Sequence, residues 1–173
     1  SLTDGSIAIE EYKEHKALCF TTVQGSADSI TVKQTKSAEE GYNVTVFEAD
    51  MLLRHMGPST AYNENLAILD KDGGVLYSFT LRHADAGVYM QTSGQSGAII
   101  AQRWVWFNFR LEYHYGANGN RVLVYVNGEL KYESALGASA TEAAALRITP
   151  DTGISSKLYL DNVTFGSIVK EEN

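Results

Sequence analysis

The sequence predicts an all-β fold of two antiparallel sheets packed face to face, and three observations carry that prediction. Apolar and polar residues alternate with period two along most of the chain. Turns rich in Gly, Asn and Ser separate the alternating runs, and no segment is long and amphipathic enough to make a helix that covers a sheet. A dozen strands without helices can bury their apolar faces only against one another, which is the arrangement of a sandwich or jelly roll.

The elements follow in order. KALCFTT (16–22) and SITVKQT (29–35) read as the first strands, joined through the polar turn QGSAD. YNVTVFEADMLL (42–53) is a long strand with Val44, Phe47, Ala49 and Met51 as candidate core positions. NLAILD (65–70) and VLYSFTLRHA (75–84) flank DKDGG as a hairpin, and GVYMQTS (87–93) and GAIIAQ (97–102) follow. WVWFNFRLEYHY (104–115) places Phe107, Phe109, Leu111 and Tyr113 on one face and Asn108, Arg110, Glu112 and His114 on the other. RVLVYV (121–126) is apolar on both faces and reads as a central strand. It turns at Asn127-Gly128, a pair that tolerates the positive φ a tight hairpin requires. ELKYES, ALRITP (145–150) and KLYLDNVTF (157–165) complete the set. Only EEYKEHK (10–16) and ASATEAAAL (138–146) offer even a short helix. No linker, repeat or low-complexity segment divides the chain, so residues 1–173 read as one domain.

Composition narrows the function. Hydrophobic residues at 44% and charged residues at 20% describe a globular protein, not a disordered one. The formal charge of −7 with no Lys/Arg cluster argues against nucleic acid, whose phosphates need clustered cations, and no long apolar span implies membrane insertion. A single cysteine, Cys19, excludes an intramolecular disulfide and reads as a small core residue. The chain starts at Ser1 without a Met or signal peptide, as an excised domain or mature fragment of a longer protein would.

WFNFRLEY, a Gly/Asn loop and VLVYVNGEL together resemble the central hairpin of laminin-G-like domains in the concanavalin A-like lectin/glucanase superfamily. The closing KLYLDNVTF resembles that family's last strand, VFEADMLL its long early strand, and jelly-roll carbohydrate-binding modules end similarly. The resemblance covers the last 60% or so of the chain. It implies a concanavalin A-like jelly roll, in a superfamily that includes lectins, binding modules, glycoside hydrolases, lyases and adhesion domains. Function must therefore come from the site. Many laminin-G-like members bind Ca²⁺ at the sandwich rim. No motif here carries those ligands over; Asp70, Asp72 and Asp161 are the candidate oxygen donors.

The outward positions of the long strands supply the candidate site. Glu48, Asp50 and Arg54, Thr80 and Arg82, Tyr89 and Gln91, and Arg110, Glu112 and His114 all have non-core parity. If these strands share a sheet, its outer face combines aromatic rings with planar polar groups, and sugars are bound by that combination. The expected ligand-binding set is Arg82, Tyr89, Gln91, Arg110, Glu112, Glu48 and Asp50, with Trp104 as a stacking platform at the edge and Trp106 as a partly buried strand opener. The bland alternative is a solvated face with cross-strand ion pairs.

Catalysis is disfavoured on the same residues. Glu48 and Asp50 share a face at roughly 7 Å, compatible with a glycosidase pair. The superfamily's glycosidases, however, carry three same-face acids as Glu-x-Asp-x-x-Glu, and FEADMLLRH lacks the third. A lyase needs a base beside an Arg, and neither His83 with Arg82 nor His114 with Arg110 shares a face within one strand. The four His show no zinc spacing, DKDGG lacks the Glu an EF-hand requires, and no phosphate cradle or nucleophile elbow occurs. The expectation is a non-catalytic carbohydrate-binding module of a secreted or cell-surface, bacterial, multidomain protein, with a glycan or polysaccharide and its own neighbouring domains as partners. The rivals are a structural or adhesive laminin-G-like module binding protein, and a small glycoside hydrolase or polysaccharide lyase.

Overall fold

The structure, a computed structural model, describes residues 4–34, 43–56, 61–92, 95–116 and 119–168. Thirteen strands run in order: β1 (Ser6–Tyr12), β2 (His15–Thr22), β3 (Ile30–Lys33), β4 (Val44–His55), β5 (Tyr62–Leu69), β6 (Val75–Ala84), β7 (Gly87–Thr92), β8 (Gln95–Ala101), β9 (Phe107–His114), β10 (Arg121–Val126), β11 (Glu129–Ala135), β12 (Ala145–Pro150) and β13 (Ser156–Ile168). They form a seven-stranded sheet, β1-β2-β13-β4-β9-β10-β11, and a six-stranded sheet, β3-β12-β5-β6-β7-β8, with every pair antiparallel. The all-β, two-sheet prediction holds, and no helix occurs among the described residues.

The alternation fills the space between the sheets as expected. Phe47, Ala49, Met51 and Leu53 of β4 and Phe107, Phe109, Leu111 and Tyr113 of β9 face Leu66, Ile68, Phe79, Leu81, Val88 and Met90 of the second sheet, all in one buried cluster. Phe109 sits 6.3 Å from Phe47 and 6.2 Å from Phe79, so aromatic contacts cross from sheet to sheet at the centre. Val122, Val124 and Val126 are buried too. β10 is flanked on both sides but stands next to the edge, not at the centre of its sheet. Its hairpin turns where expected, with Asn127 at φ 51° and Gly128 at φ 80°, the left-handed pair a two-residue hairpin needs.

Several readings of the sequence are corrected. Residues 10–16 form no helix: they end β1, turn at Lys13 and Glu14 with φ of 49° and 69°, and start β2, so β1 is a strand the alternation missed. Residues 138–144 are irregular chain leading into β12. Trp104 and Trp106 precede β9 and do not belong to it. Trp104 has φ 59°, a turn conformation, so the strand expected from residue 104 begins only at Phe107. Val44 is buried, but on the outer side of the first sheet and not among the residues between the sheets.

Candidate functional site

The two sheets divide the expected site. Glu48 and Asp50 on β4 and Arg110 and Glu112 on β9 lie on the outer face of the first sheet, whereas Arg82 on β6 and Tyr89 and Gln91 on β7 lie on the outer face of the second. No single ligand surface unites them. Parity identified outward positions correctly, but it carries no information about which sheet a strand joins.

On the first sheet the polar residues satisfy one another. Arg110 Nη1 donates to Glu48 at 2.8 Å, its Nη2 and Nε donate to Glu112 at 3.0 and 3.1 Å, and Glu112 Oε2 lies 2.9 Å from His114 Nε2. Glu112 is 5% exposed and His114 6%, so this end of the network is withdrawn from solvent, while Arg110 and Glu48 stay about a third exposed. Asp50 accepts from Asn108 and from Asn162 at 3.2 and 2.7 Å. Further along, Ala17, Cys19, Leu52 and Tyr159 form a second small core on this outer face, packed against Tyr12 and Trp106. Burial pushes the Cys19 thiol above its ordinary value, the opposite of what a nucleophile needs. The face combines a self-satisfied polar network with a small apolar cluster.

The candidate metal donors are equally separated. Asp70 Oδ1 accepts from the backbone N–H of Asp72 and of Gly74 at 2.9 and 2.7 Å, closing its own turn between β5 and β6. Asp161 lies on the other sheet, 3.0 Å from His15 Nδ1; that hydrogen bond and the Asn162 N–H hold its carboxyl below the usual range. Among the described residues no three His, Cys, Asp or Glu side chains come together to hold a metal ion.

The second sheet is different: its outer face carries a groove of about 730 Å³. Strand pairing arranges the groove as ladders. Thr149, Asn65, Thr80 and Gln91 lie in one row across β12, β5, β6 and β7, and Arg147, Ala67 and Ser78 lie in the next. Adjacent strands are ~4.8 Å apart, so the four-residue row spans about 14 Å, room for two or three sugar rings in line. Asn63, Arg82 and Tyr89 form the row on the other side. Thr80 Oγ1 donates to Asn65 Oδ1 at 2.8 Å, which leaves the Asn65 amide N–H groups aimed at solvent-side partners. The groove therefore presents the amides and hydroxyls of this row and the Arg147 guanidinium of the next. Among its described lining there is no Asp, Glu or His. Tyr77 lines one side, but its hydroxyl bonds Tyr132 at 2.7 Å and burial pushes it up to about 12.

Sequence reasoning found Gln91, Tyr89 and Arg82 of this face and missed Asn65, Arg147 and Thr149. The missed residues come from β5 and β12, which pair although they are far apart in sequence. Their only local signal was their polar parity. Trp104, expected as a platform, is 44% exposed, but it lies at the end of the first sheet, beside His55 and Arg103, and not at this groove.

No family model and no curated protein matches the sequence. Comparison with solved structures places the fold. The polysaccharide lyase family 7 alginate lyase AlgAT5 matches with a TM-score of 0.64 at 11% identity, over 94% of this chain and 82% of that one. A carbohydrate esterase of the Shiga toxin-encoding bacteriophage phi24B matches at 0.65 and 13% identity, over 95% of this chain and 87% of that one. A sialidase matches at 0.66 and 10% identity, over 96% of this chain but only 16% of its own length. The two sheets share the jelly-roll sandwich fold of these structures, the fold that the hairpin motifs implied.

Proposed function

We propose that this protein binds a polysaccharide in the groove on the outer face of its second sheet, and that it does so without cleaving it. The observation that carries the reading is the chemistry of the groove. Asn65, Gln91, Thr80, Thr149 and Arg147 offer planar and hydroxyl partners for sugar hydroxyls across four strands, and Tyr89 flanks them with an aromatic surface. Hydrolysis needs two carboxylates about 5–9 Å apart, and the described lining supplies none. The first sheet has two in Glu48 and Asp50, but both are bonded into the network of that face. The resemblance to alginate lyases, a phage carbohydrate esterase and a sialidase is a likeness of fold that agrees with a carbohydrate ligand. In this reading the domain works as a binding module beside other domains of a secreted or cell-surface protein, bacterial in origin.

The lyase resemblance favours a second reading, a polysaccharide lyase in which Arg147 neutralises a uronate carboxylate and a tyrosine acts as base. The two readings separate in one assay. Calorimetric titration with a panel of soluble polysaccharides is expected to show binding that Arg147→Ala and Gln91→Ala each weaken by about 1–3 kcal/mol, the scale of a hydrogen-bonded anchor. Unchanged affinity in both variants overturns the groove. Appearance of the ultraviolet absorbance of a C4–C5 double bond during incubation with a polyuronate overturns the non-catalytic reading in favour of the lyase.

A further inference from the structure

At the end of the first sheet, away from the groove, Tyr12, Arg54, His55, Met56 and Trp104 line a cleft of about 420 Å³. From these residues we infer a second ligand site, one that takes a sugar ring bearing a carboxylate. Trp104 supplies the surface. It is 44% exposed and held at φ 59°, a left-handed conformation that a bulky residue rarely adopts. Identified contacts hold it there. Lys13 Nζ donates to the Trp104 carbonyl at 2.8 Å, Arg103 lies with its guanidinium 4.3 Å from the ring centroid, and Arg103 is in turn clamped by Asp85 and His55. The strain keeps an indole at a cleft mouth where ordinary strand geometry would turn it elsewhere.

The charges point to the ligand. The chain carries −7 overall, yet Arg54 lines this cleft, and Lys13 and Arg103 lie over the Tyr12 and Trp104 rings that line it too. Arg103 has its carboxylate partner in Asp85; Arg54 and Lys13 have none among the described residues and instead sit over the Tyr12 ring at 5.4 and 5.6 Å. A guanidinium and an ammonium held over an aromatic ring, with no carboxylate paired to them among the described residues, make a receptor for a carboxylate. An exposed indole beside them fits the C–H face of a pyranose. A ring with both features, a uronate or another acidic sugar, satisfies the whole cleft; a neutral sugar leaves the cations unused. The site lies on the opposite sheet from the groove and stands whether or not the groove binds.

The test uses an oligogalacturonate, its methyl ester and a neutral oligosaccharide of equal length, titrated calorimetrically into the whole protein and its variants, with tryptophan fluorescence followed wherever Trp104 is kept. The acidic oligomer is expected to shift the emission and to bind at least tenfold more tightly than its ester at low salt. Trp104→Ala and Arg54→Gln are each expected to lower its affinity about tenfold, whereas Arg147→Ala in the groove leaves the fluorescence response intact. Trp104→Phe retains most of the affinity, which separates loss of the ring from loss of the fold. Equal binding of acid and ester overturns the site, as does an acidic oligomer whose affinity survives both Trp104→Ala and Arg54→Gln. Adenosine monophosphate giving the response while the oligogalacturonate gives none assigns the cleft to a nucleotide and overturns the sugar.

Discussion

Glu64→Gln is expected to stabilise the protein at pH 7 by about 3 kcal/mol, while leaving its stability near pH 4 unchanged. Glu64 is completely buried between the sheets, on the inward parity it shares with Leu66 and Ile68, and neither carboxyl oxygen has a hydrogen-bond partner among the described residues. Burial pushes its pKa from 4.5 up to about 8; the nearby Ser156 hydroxyl offsets this in part but is itself bonded to Thr22 at 2.9 Å. The sign follows from linkage. Below pH 4.5 the carboxyl is protonated in both folded and unfolded chains and contributes nothing. As pH rises from 4.5 to about 8 the unfolded chain releases the proton and the folded chain keeps it, so stability falls across that window. Gln has no proton to release and removes the slope. His83 acts in the opposite direction: burial lowers its pKa from 6.5 to about 3, so the folded protein loses stability as pH falls through that range. Denaturant unfolding of the Gln variant should therefore show stability rising with pH and levelling above 6.5. A variant no more stable than the parent at pH 7 shows that Glu64 is ionised in the folded state.

Glu64 and His83 also show what the residues alone could and could not reveal. Both break the apolar parity of their strands, and that break is visible in NENLAIL and FTLRHA without a structure. The fold was legible because each clue was local: alternation sets the faces, and Asn127-Gly128 sets a hairpin through backbone sterics alone. The composition of the candidate groove was legible only where neighbours in sequence are neighbours in the sheet. Arg82 and Tyr89 pair directly across the β6–β7 hairpin, and Gln91 stands opposite Thr80. Asn65 and Thr149 are brought together by a long crossover that no local pattern encodes, and Arg110 shares outward parity with Gln91 while facing the opposite way. Trp104 escaped for a different reason. A single left-handed residue takes it out of the strand in which the run 104–115 had placed it.

Arg110→Ala is expected to cost about 2–4 kcal/mol of stability and to leave polysaccharide affinity unchanged, the converse of the groove variants. The guanidinium joins Glu48 on β4 to Glu112 on β9, with side-chain exposures of 34% for Arg110, 33% for Glu48 and 7% for Glu112. Deleting one partner of a buried pair typically costs 3–5 kcal/mol, because the other charge stays desolvated; the partial exposure of Arg110 and Glu48 lowers that figure. Glu112 keeps His114 at 2.9 Å, but two carboxylates then face each other across adjacent strands without the cation between them. Adding Glu112→Gln to Arg110→Ala removes that repulsion and should recover part of the loss, a coupling a double-mutant cycle reads directly. The comparison also decides which face binds. The network on the first sheet satisfies itself, whereas the row Thr149, Asn65, Thr80 and Gln91 offers its polar groups outward. An Arg110→Ala protein that stays as stable as the parent and loses its polysaccharide would transfer the binding surface to the first sheet.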